Sequence, residues 1–106
     1  MDIRTAITET LLELKQIAIG NTLDNCEKRM YEAGIVFSGE HINKIDSISL
    51  FNCMKVKKGI DVDCEIATRL IPDICNELRM HADPCIAPEE SGKQNPEIIA
   101  YEITLF

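Results

Sequence analysis

Apolar and polar positions recur along this chain with two different periods, and the change between them sets the expected elements. Residues 2–19 carry Ile3, Ile7, Leu11, Leu14 and Ala18 at spacings of three and four, with Leu12 and Ile19 widening the stripe. That spacing predicts an amphipathic helix, capped by Asp2 and closed at Gly20, where a left-handed C-cap belongs. Residues 22–33 repeat the pattern more loosely with Leu23, Cys26, Met30 and Ala33, behind an Asn21 or Thr22 cap and ahead of Gly34. A helical hairpin with a short Gly-Asn link is the expected opening unit.

The period is harder to read in the middle of the chain. Residues 35–46 hold a short apolar run, Ile35-Val36-Phe37, then Ile42 and Ile45, which fit the inner side of a short helix. Across 47–66 a helix scatters Ile48, Leu50, Phe51, Met54 and Val56 around its axis. A strand places Ile48, Leu50, Met54 and Val56 on one face. Lys57-Lys58-Gly59 suits a tight turn, and Ile60, Val62, Cys64 and Ile66 then alternate with Asp61, Asp63 and Glu65. The expectation is a β-hairpin with its acids outward. The competing reading starts a helix at an Asp61 or Asp63 N-cap.

Beyond this the periods separate cleanly. Over 66–81, Ile66, Ala67, Leu70, Ile71, Ile74, Cys75 and Leu78 form a helical stripe. Pro72 inside it predicts a kink or two abutting helices, and His81-Ala82-Asp83-Pro84 should end it. Residues 83–96, with Pro84, Pro88, Gly92 and Pro96, read as an exposed loop. Residues 97–106 alternate through Ile99, Tyr101, Ile103 and Leu105, as a half-buried strand does, although Asn95-Pro96 could instead cap a helix. Residues 1–106 are thus expected to form one α+β domain: helical hairpin, β-hairpin, kinked helix and C-terminal strand. The alternative is an all-α bundle of four or five helices.

Composition narrows the picture. Sixteen isoleucines, no Trp, three Phe and two Tyr imply an aliphatic core and a poor stacking platform for nucleic-acid bases. No apolar run approaches the roughly 18 residues of a membrane span. The start, Met1-Asp2-Ile3-Arg4-Thr5, lacks the basic, then solidly apolar pattern of a signal peptide. Five cysteines, an odd number without a CxxC pair, suit reduced thiols in a cytoplasmic protein.

Charge adds one asymmetry. Residues 1–58 are neutral overall, whereas residues 59–106, with Arg69, Arg79 and Lys93 as their only Lys or Arg, carry the full net charge of −7. Such a field repels phosphate backbones and attracts basic surfaces. Asp61, Asp63, Glu65, Asp73, Glu77, Glu89 and Glu90 are the candidate partner-binding residues. Lys55, Lys57 and Lys58 form a lone basic cluster that suits a solvated chain end better than a nucleic-acid site.

Other chemistry is thinner. Cys75, His81 and Cys85 are the nearest approach to a zinc ligand set, but their spacing matches no common zinc pattern. A cysteine nucleophile would need His41 or His81 as base and a positive setting, which the acidic half does not offer. Asp61, Asp63 and Glu65 resemble part of a calcium loop without its glycine or its final glutamate. Glu40, His41 and Asp46 contain the groups for acid–base work at no spacing that demands it. No GxGxxG, P-loop, GxSxG or HExxH occurs.

The expected function is therefore binding, with no enzyme activity and no cofactor: an inhibitor that blocks a basic protein, such as a toxin or nuclease. Small size, acidity and the missing catalytic motifs make the profile similar to antidote-type proteins, the bacterial immunity proteins and phage-encoded inhibitors of host defence. That resemblance is one of class and covers no particular residues. A structural or regulatory homo-oligomer, and a small thiol- or metal-dependent protein, are the alternatives.

Overall fold

A computed structural model describes residues 2–19, 43–86 and 97–106. The helix expected over 22–33 and the segments 35–42 and 87–96 lie outside the described residues. In chain order the elements are helix α1 (Ile3–Ile19), strand β1 (Lys44–Asp46), helix α2 (Ser47–Lys58), helix α3 (Cys64–Glu77), strand β2 (His81–Ile86) and strand β3 (Ile98–Thr104). The domain is α+β, as its periods predict, and the sheet rules out the all-α bundle.

The sheet is antiparallel with order β1-β3-β2, so the last strand of the chain is its centre. The helices form a layer on one face. α2 packs over β1 and β3, α3 packs over β2 and β3, and α1 lies across α2 and α3. Between the layers, Ile7, Leu11, Leu14, Leu50, Met54, Ile71, Ile74, Ile45, Ile103 and Leu105 are fully buried. Each contributes about 1.5–3 kcal/mol by leaving water. In α1 the stripe through Ile7, Leu11, Leu14 and Ala18 is buried as expected and Ile3 packs against it. It widens through Ala6 and Thr10, however, while Leu12 and Ile19 face outward. The Thr10 hydroxyl is satisfied by donating to the Ala6 carbonyl at 2.7 Å.

The β-hairpin expected over 47–66 is not formed. Residues 47–58 are helix α2, and its buried positions are Ser47, Leu50, Phe51, Cys53 and Met54. Spacings of three and four recover a helical face that Ile48 and Val56 conceal, because both are apolar yet solvent-facing. The punctuation decides the matter. Asp46 accepts from the Ser49 amide at 2.8 Å and hydroxyl at 2.9 Å. At the other end Gly59 adopts φ +66°, and its amide donates to the Lys55 carbonyl. The run 60–63 is an irregular link, not a strand. The Asp63 cap of the competing reading starts α3.

Three further differences follow. Helix α3 ends at Glu77, short of residue 81, and of the two readings of Pro72 the pair of abutting helices is not formed, because one helix runs through it. His81–Ile86 begins no loop but forms β2, with Pro84 tolerated because β2 is an edge strand among the described residues. Ile45 faces inward from β1 rather than from a short helix. The C-terminal strand is present, with Ile103 and Leu105 buried and Tyr101 packed on the core.

β1 stops early because Asp46 caps α2. The next donor along β3, the Tyr101 amide, is accepted instead by the buried Ser47 hydroxyl at 3.0 Å. Register shifts between Cys85 and Ile86, which pair with Ala100 and Ile98, so Ile99 is the extra residue of a β-bulge.

Candidate functional site

The acidic residues singled out in the sequence do not share a strand face. Asp61 is exposed on the link before α3 and makes no bond or ion pair with the described residues. Asp63 is the N-cap of α3, its carboxylate accepting from the amides of Glu65 at 3.0 Å and Ile66 at 3.2 Å. Glu65 lies in the first turn and pairs with Arg69 at 2.7 Å. Negative charge at this end opposes the helix dipole favourably, which stabilises the start of α3. All three side chains are solvent-facing, so the charge remains available to a partner.

Asp73 and Glu77 are committed elsewhere. Arg4 of α1 donates to Asp73 at 2.9 Å and to Glu77 at 2.7 Å, tying α1 to α3. The hydrogen bonds that Arg4 donates to Asp73, and then to Glu77, hold its guanidinium above its ordinary pKa. Glu89 and Glu90 lie outside the described residues.

The weak zinc set is dispersed. Cys75 is buried on the inner face of α3, and burial pushes its thiol up to about 11. His81 and Cys85 lie on β2 with the parity opposite to core-packed Ala82, so they point away from Cys75. Among the described residues no group of three or more His, Cys, Asp or Glu is placed to hold a metal ion. Burial likewise raises the Cys53 thiol, whereas Cys64 is exposed.

Two arrangements were not legible in the sequence. The first lies on the sheet face away from the helices. Asp46, Glu102 and Asp83 stand at one register across the three strands, and Lys44, Thr104 and His81 stand at the next. Like charges directly opposite one another are destabilising. Here each carboxylate has a donor of its own: Asp46 caps α2, Glu102 meets Lys44 at 3.5 Å, and Asp83 meets the His81 ring at 2.8 Å.

The second is a cleft of about 500 Å³ between the start of α3 and the start of β3, lined by Cys64, Glu65, Thr68, Arg69, Glu97, Ile98, Ile99 and Tyr101. Its floor is apolar, with Ile98 and Ile99 40% and 51% exposed. Its rim carries Glu65 and Glu97 against one cation, Arg69, which Glu65 already engages. The sequence holds one trace of it. Ile98-Ile99 is the one pair of adjacent isoleucines in the sequence, and it falls at the bulge. Among the described residues no helix is long and apolar enough to cross a membrane. Comparison with known protein families, with curated proteins and with solved structures finds no match.

Proposed function

We propose that this chain is a small acidic binding module that engages a basic protein partner and blocks the surface it covers. The observation that carries this reading is the group of exposed carboxylates at the start of α3. Asp61, Asp63 and Glu65 fall within five residues; of the cations near them in the sequence, Arg69 is drawn onto Glu65 and Lys58 onto Glu13 of α1. Such a group raises the association rate of a positively charged partner and makes that rate fall with salt. Asp73 and Glu77 serve the α1–α3 junction first and contribute only background field.

The test begins with crosslinking from the native host to identify the partner, followed by association kinetics on the purified pair. The variant combines Asp61→Lys and Glu65→Lys with Asp63→Asn, because asparagine keeps the cap while removing the charge. A basic partner whose on-rate drops at least tenfold, with a flattened salt dependence, supports the reading. An unchanged on-rate, or a partner that is itself acidic, overturns it.

A further inference from the structure

We draw no further inference here: the strongest candidate, the cleft between the start of α3 and the start of β3, carries none, because its rim holds charges of both signs and nothing in the structure shows what covers its floor of Ile98, Ile99 and Tyr101.

Discussion

Helices α2 and α3 both start on an aspartate cap and both give way to a residue with left-handed backbone, yet their two starts face different surroundings. Asp46 sits at the end of β1, and its cap turns the chain out of the sheet, leaving Ser47 to complete the ladder to Tyr101. Every polar group at that start is used inside the domain. Asp63 caps α3 in the open, flanked by exposed Asp61 and Glu65, at the mouth of a cleft. The same local chemistry therefore serves architecture at one helix and leaves surplus charge for recognition at the other. The exits differ as well. α2 leaves through Gly59 at φ +66°, whereas Arg79, two residues beyond α3, takes φ +59° with a side chain attached.

The sharpest way to break this comparison is to ask whether α2 has the buried face assigned to it. A strand would make Ile48 and Leu50 equivalent, and the helix makes them opposite. Leu50→Ala should cost about 2–5 kcal/mol in urea unfolding, because Leu50 is fully buried. Ile48→Ala, at an exposed site, should stay within about 0.5 kcal/mol. Equal costs would return the segment to a strand. Ser47→Ala should follow at about 1–3 kcal/mol, since it leaves the Tyr101 amide without an acceptor. The Tyr101 amide should then exchange faster than that of Ile103.

These contrasts also explain what the sequence conceals. α1, α3 and β3 were legible because their buried positions keep one period over several turns or residues. α2 was not, because Ile48 and Val56 are apolar at solvent-facing positions and share strand parity with buried Leu50 and Met54. The acids of 61–65 alternate with apolar residues as they would on a strand, yet a capping carboxylate at Asp63 outweighs four residues of pattern. β2 was hidden by Pro84, which reads as a breaker unless the strand is known to be an edge. The cleft could not be read at all. It depends on which ends of α3 and β3 meet, and that follows from the β1-β3-β2 order.

The exits supply the next test. Gly59→Ala should cost about 1–2 kcal/mol, the penalty of a side chain in left-handed backbone. Nothing lies within 4 Å of where its Cβ would stand, so the cost is purely conformational. Arg79→Gly should be neutral or stabilising by up to about 1 kcal/mol, since the freedom glycine restores is partly lost again as unfolded-state entropy. A destabilising Arg79→Gly would mean that the arginine side chain holds the α3–β2 junction.

The smallest effect separates the two roles of α3's start. Asp63→Ala removes the acceptor for the Glu65 and Ile66 amides and should cost about 1 kcal/mol. Asp63→Asn retains an acceptor and should cost only a few tenths of that, while deleting one charge from the exposed group. If partner association slows in Asp63→Asn as much as in Asp63→Ala, charge governs the encounter and the cap merely positions it. If only Asp63→Ala slows it, the ordered first turn of α3 is what the partner meets. The contrast with Asp46 would then be one of exposure rather than of charge.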